Sequence, residues 1–206
     1  MKSLKNFIFI VFLSLHVSDM KAQTEDRLSV VSCAYPVFWL HKTGEIGTNN
    51  KIEYTFNYGG EVCVERRFKR FSLGLGFDYF RKDLLQQYLN EPYGYVDLQS
   101  MNGYMGFSLM EKMILIHGKS WYHSIVAQEV LAYVSENRHY NYCHADGTSF
   151  WQISEKDNHE EMLFFVGYEI EKIIGRRISV RLLPLFGFGS TSLIQLRLGV
   201  SYSFIE

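Results

Sequence analysis

Ile194-Gln195-Leu196-Arg197-Leu198-Gly199-Val200-Ser201-Tyr202-Ser203-Phe204 alternates along its whole length, apolar at even positions and polar or glycine at odd ones. Successive side chains of a strand point to opposite faces. One face therefore carries Ile194, Leu196, Leu198, Val200, Tyr202 and Phe204, and the other carries Gln195, Arg197, Gly199, Ser201 and Ser203. A period of two held this long reads as strand and not as helix.

The same pattern recurs upstream. Ile178, Val180, Leu182, Pro184, Phe186 and Phe188 oppose Arg177, Ser179, Arg181 and Gly187. Met162, Phe164, Val166, Tyr168 and Ile170 oppose Gly167, Glu169 and Glu171, with Leu163 and Phe165 breaking the rule. Phe71, Leu73, Leu75, Phe77 and Tyr79 oppose Ser72, Gly74, Gly76 and Asp78. In 52–64, Ile52, Tyr54, Phe56, Tyr58, Val62 and Val64 oppose Glu53, Thr55, Asn57 and Glu61. Stretches 28–40, 95–109 and 120–136 complete a set of eight. The second changes parity near Asn102-Gly103, where a bulge is expected, and the third is apolar on both parities, so its faces stay unassigned.

The connections alternate in length. About ten residues follow the first strand, then come a tight turn at 66–69, a polar loop at 82–92 and a modest connection at 110–119. A long loop at 137–159, a turn at 173–176 and a short connection at 189–192 complete the chain. Long connections on one side and short ones on the other are the habit of membrane-spanning barrels.

Composition points the same way. Of 206 residues, 14 are Tyr, 16 Phe and 16 Gly against 3 Pro, a balance that favours strands. Lys plus Arg is 21 and Asp plus Glu is 22, so nothing in the charge suggests nucleic acid. The mean hydropathy of -0.09 is too polar for a bundle of membrane helices but suits strands whose faces average out. Cys33, Cys63 and Cys143 are odd in number and scattered, which is no disulfide framework. Residues 1–23 read as a secretory signal peptide: Lys2 and Lys5, an apolar run from Phe7 to Leu15, then a polar stretch to Gln23. The mature domain is then 24–206.

Alternation alone does not say which face is inside. The polar face carries Glu53, Glu61, Asp78, Glu169, Glu171, Arg177, Arg181 and Arg197 among Gly, Ser and Thr. An eight-stranded barrel has a bore only wide enough for side chains. Small residues and opposite charges would fill it as a lumen ion network, since unpaired buried charge is costly. The apolar face carries Tyr54, Tyr79, Tyr168, Tyr202 and Phe204 toward strand ends, where they make membrane-interface girdles. Runs of 9 to 13 residues match the about 9–11 that cross a bilayer at a tilt. The expected fold is all-β, an eight-stranded antiparallel up-and-down transmembrane β-barrel.

The signal segment, the Gly-rich alternating hairpins and the ending Leu198-Gly199-Val200-Ser201-Tyr202-Ser203-Phe204 resemble the outer-membrane β-barrel families of Gram-negative bacteria. They are similar in particular to the small OmpA/OmpX-like and porin-family barrels common in Bacteroidetes. That resemblance implies outer-membrane lipid as surroundings and a final strand read by the barrel-assembly machinery. Here Ile205 and Glu206 follow the terminal aromatic Phe204, a departure from the family pattern.

Three chemistries are conceivable on these residues. Some eight-stranded barrels modify lipid A, and His123, Ser124 and Glu129 resemble the His/Ser/Glu set of the outer-membrane lipid A deacylases. Adjacent His123 and Ser124 point to opposite faces, however, so no catalytic residue is assigned. The 137–159 loop holds His139, Cys143, His144, Asp146, His159 and Glu160 at spacings that match no metal pattern, and no metal or cofactor is expected. The same loop offers Tyr140, Tyr142, His144, Phe150 and Trp151 as extracellular contacts for a ligand or protein. The expected role is non-enzymatic, structural or surface-interacting. The alternatives are a lipid-modifying barrel enzyme and a secreted soluble ligand-binding barrel, the latter requiring Phe77 and Val200 to face inward.

Overall fold

The computed structural model describes residues 27–40, 51–54, 57–90, 94–144, 146–189 and 192–204. At 39–40, 51–54, 84–90, 95 and 150 the description is of the backbone alone. The signal segment lies outside the described residues.

The strands are β1 (Arg27–Leu40), β2 (Lys51–Tyr54), β3 (Asn57–Phe68), β4 (Phe71–Asn90), β5 (Gly94–His117), β6 (Trp121–Cys143), β7 (Ser149–Ile173), β8 (Ile178–Phe188) and β9 (Ser192–Ser203). No helix occurs among the described residues. β2 and β3 pair with consecutive lengths of β4, Tyr54 opposite Leu84 and Gly59 opposite Phe80. They are two lengths of one strand, so the sheet has eight. Each strand is antiparallel to the next in sequence, and β1 pairs with β9, Cys33 opposite Gly199, to close the ring. Closure removes the sheet edges within the barrel.

The turns at Lys69-Arg70, 118–120 and 174–177 gather at one end, together with Arg27 of β1 and Ser203 of β9. Lys69 adopts a φ of 49°, which lets the chain reverse in two residues between Phe68 and Phe71. At the other end the barrel is lopsided. β4 to β7 run 20 to 25 residues, about twice what a tilted bilayer crossing needs, whereas β8 and β9 have 11 and 12. Their upper halves form a ribbon standing above the rim.

The structure departs from four of the sequence expectations. Residues 137–159 are not a long loop: β6 continues to Cys143, β7 starts at Ser149, and Tyr140 pairs with Ile153. Likewise 82–92 belongs mostly to β4, and 110–117 to β5. At 82–90 and 137–159 the strands run past the length that crosses a bilayer, where neither face meets lipid, so the apolar alternation disappears while the hydrogen-bonded ladder persists; 110–117 lies at the short-turn end, where apolar Met110 and Ile114 point inward and Glu111 outward, which blurs the alternation. The bulge expected at Asn102-Gly103 is absent, since both neighbours of β5 stay in register there; the irregularity falls between Ile114 and Ile116.

Inside and outside follow parity. Val62, Val64, Leu75, Phe77, Phe107, Leu198 and Val200 are exposed, while Glu65, Asp78, Glu171 and Arg197 are fully buried. In β6, Ser124, Val126, Gln128, Val130 and Ala132 face inward, which settles the strand whose faces the sequence left open. Small residues let large ones cross the bore: a Cβ on Gly59 would collide with the Tyr35 ring and lie 2.7 Å from Phe80 Cβ.

Candidate functional site

The barrel interior is stacked in layers. Nearest the short turns, Glu65 accepts hydrogen bonds from Ser72 Oγ (2.6 Å), Lys112 Nζ (2.7 Å) and Arg181 Nη1. Lys112 Nζ also donates to Glu169 (2.7 Å), and Arg181 Nη2 to Glu171 (3.3 Å). Glu171 receives Arg67 Nη2 and Ser179 Oγ as well. The Arg67 guanidinium lies 4.4 Å over the Tyr122 ring.

A second cluster sits above it, centred on Arg197. Its Nη1 donates to Glu61, and its Nη2 to Asp78 (2.8 Å) and Gln195 (2.6 Å). Glu61 also accepts from Gln128 Nε2 (2.6 Å) and Ser108 Oγ (2.8 Å), and Tyr35 OH donates to Asp78. Across both clusters the cations Arg67, Lys112, Arg181 and Arg197 face the carboxylates Glu61, Glu65, Asp78, Glu169 and Glu171. Each carboxylate meets at least one cation, as buried charge requires.

Above the ions the bore is closed by hydrocarbon. Phe80 stacks on Tyr104 with centroids 4.7 Å apart, beside Phe165, Leu163, Val130, Val134, Leu183, Leu185 and Leu193, all buried. Leu163 and Phe165, which broke the sequence pattern, belong to this layer.

The ribbon begins above that layer. On its inner face Glu136 is fixed by Ser100 Oγ (3.2 Å) and Asn102 Nδ2 (3.3 Å) on one oxygen and by Arg138 Nη2 (2.6 Å) on the other. Burial pushes the Glu136 carboxyl up, but the Arg138 guanidinium and these hydrogen bonds outweigh it and hold the group below the ordinary glutamate range. At the tip Tyr142 stacks on Trp151, centroids 5.3 Å apart. Beyond the stack Asp146 Oδ1 accepts from Thr148 N (2.9 Å) and Oγ1 (2.7 Å). From 149 to 160, β7 has β6 on one side, and among the described residues none pairs with its other side; pairing to β8 starts at Phe164 opposite Phe188.

Of the residues singled out from the sequence as a lumen set, Glu61, Asp78, Glu169, Glu171, Arg181 and Arg197 are buried together. Arg177 is corrected: it precedes β8 in an exposed bend, where parity no longer governs direction, and its Nη1 donates to Tyr202 OH (3.2 Å). The Glu53 side chain lies outside the described residues. Glu65, Arg67 and Lys112 were missed because they fall where the sequence suggested turns; continuing the parity of Glu61 and Cys63 two steps further would have found the first two. Tyr79, Tyr168, Tyr202 and Phe204 are on the outer face, and the Tyr54 side chain is undescribed. Among the ribbon aromatics Tyr140 and Tyr142 are half-buried and Trp151 is exposed, as is His144, while the Phe150 side chain is undescribed.

The deacylase-like set is not assembled. His123 faces outward with Nδ1 2.9 Å from Tyr168 OH, Ser124 faces inward, and Glu129 is six residues along β6, roughly 20 Å away. Phe77 and Val200 are 43% and 54% exposed, so the soluble-barrel alternative, which needs them inside, is overturned.

A closed ring with ions within and hydrocarbon without can only rest in lipid, and its class is therefore the eight-stranded transmembrane β-barrel. Solved barrels share this architecture at low sequence identity. Neisserial surface protein A is 8% identical, covering 86% of this chain and 97% of its own, with a TM-score of 0.47. The attachment invasion locus protein Ail of Yersinia pestis is 10% identical over 89% of this chain and all of its own, also at 0.47. A major outer membrane protein of Thermus thermophilus is 10% identical over 86% of this chain and 99% of its own, at 0.47. Likeness this remote transfers no residue role. No family model and no curated protein matches the chain.

Proposed function

We propose that this chain is a non-enzymatic outer-membrane barrel that holds a β-ribbon above the bilayer as a binding surface. The observation that carries the reading is β7, which from 149 to 160 is paired on one side only among the described residues. Among the described residues the bore is filled by ion pairs and hydrocarbon, which argues against an open channel and points to the part outside it as the working surface. Export through the 1–23 signal peptide and assembly read from the final strand would leave the short turns and both strand ends in the periplasm.

An unpaired strand edge offers main-chain hydrogen bonds to a further strand. This edge carries Glu155, Asp157 and Glu160 against Lys156, which favours an extended segment bearing Lys or Arg. The test uses the refolded barrel in micelles and a lysine-rich strand-forming peptide. The amides of 151–160 should gain protection from hydrogen exchange, and the same peptide with alternate backbone nitrogens methylated should not protect them. Equal protection by both peptides, or by neither, refutes edge pairing. Faster migration of unboiled protein on SDS gels, in the outer-membrane fraction, checks the location.

A further inference from the structure

We propose that Glu136, Asp157 and His159 form a site for a divalent transition-metal ion of the zinc class at the barrel mouth. Register brings them together: Glu136 pairs directly with Asp157, and His159 lies two residues further along β7 on the same face. Their ligand atoms lie within 4.8 Å of one another, with His159 Nδ1 3.7 Å from Asp157 Oδ2. One imidazole nitrogen with two carboxylate oxygens is a donor set for Zn²⁺ and its neighbours rather than for Ca²⁺ or Mg²⁺, and water would complete the shell.

His159 and Asp157 are 44% and 65% exposed and open to an entering ion, while the third ligand is held in place. Glu136 is 8% exposed, and one of its oxygens is oriented from β5 by Ser100 and Asn102, the kind of outer-shell support that fixes a coordinating carboxylate. The layer of Val134, Leu163 and Leu193 closes the floor.

The nearest obstacle is Arg138, whose Nη2 occupies the other Glu136 oxygen at 2.6 Å; Lys82 is a further cation close enough to interact with the same carboxylate. Its side chain is 41% exposed, and its cross-strand partner is Glu155. A cation entering between Glu136 and His159 would displace the guanidinium toward that second carboxylate, so binding exchanges one ion pair for another. The bound ion would tie β6 to β7 at the foot of the ribbon. This holds whether or not the β7 edge takes a partner.

The experiment titrates Zn²⁺, and Co²⁺ as its visible reporter, into the refolded full barrel in micelles, with the gel-shift assay confirming each variant is folded. Saturable binding of one ion per chain is expected. His159→Ala and Asp157→Asn should each weaken it at least tenfold, while Arg138→Ala should tighten it several-fold by removing the competing cation. His139→Ala and His144→Ala should leave it unchanged. Binding that survives in the His159→Ala/Asp157→Asn double variant overturns the site, as does absence of saturable binding in both the natural protein and Arg138→Ala.

Discussion

Replacing Arg197 with Leu removes the hub of the upper ion cluster and leaves Glu61 and Asp78 facing each other in a closed bore. Arg197 is 0% exposed and donates to Glu61, Asp78 and Gln195 while lying 4.6 Å over the Tyr35 ring. Removing one partner of a buried ion pair costs about 3–5 kcal/mol, because the remaining charge has neither water nor a counter-ion. Two carboxylates are stranded here, although Gln128 and Ser108 still donate to Glu61 and Tyr35 to Asp78, so the middle of that range, about 4 kcal/mol, is expected. With a urea slope of about 2 kcal/mol per molar, the unfolding midpoint in micelles should fall by about 2 M, read from loss of the fast-migrating band. Neutralising the stranded acids at the same time, in Arg197→Leu/Glu61→Gln/Asp78→Asn, should recover most of the loss, since a buried pair is worth little against a neutral, well-packed replacement. A midpoint within about 0.5 M of the natural protein for the single variant, or a triple variant no better than the single, would refute the claim that stranded charge sets the cost.

Three other perturbations test the rest of the architecture. Glu129 is on the outer parity of β6, half-buried two residues before the exposed Leu131, where a carboxylate meets lipid, so Glu129→Leu should stabilise the barrel by about 1 kcal/mol; a lowered urea midpoint would contradict the inside-out assignment. Gly59→Ala should destabilise by about 1–3 kcal/mol through collision with Tyr35, and the double variant with Tyr35→Leu should restore part of it; simple additivity would show the two do not touch. The Asp146 carboxyl is held below its ordinary value by hydrogen bonds from Thr148, so its contribution is present above the unfolded aspartate value of about 3.9 and lost as pH falls through the lower folded one. Exchange of the Thr148 amide should speed up in that acidic window in the natural protein but not in Asp146→Asn, and a flat profile in both would rule out the carboxylate as the tie.

Much of this barrel is local information. A side chain's face depends only on parity, so Glu61, Asp78, Glu169, Glu171, Arg181 and Arg197 could be placed on one surface before any pairing was known. The inside-out sense followed from which of the two faces held the charge. Leu163 and Phe165 stood against the pattern in sequence because parity says where a residue points, not whether that depth of the bore is ionic or apolar.

Tertiary structure decided what depends on register around a closed ring. Arg197 on β9 meets Glu61 on β3 and Asp78 on β4, 136 and 119 residues away along the chain, because β1 pairs with both β9 and β3 and so brings those walls together. The ribbon was hidden for a related reason. Where lipid ends, the environment stops selecting one apolar face, and β6 and β7 are held as strands beyond that level by backbone pairing, which leaves no periodic trace in the side chains. Alternation thus determined the barrel and the sense of its faces; ring closure and register determined which charges meet, how far the strands continue, and where Glu136, Asp157 and His159 converge.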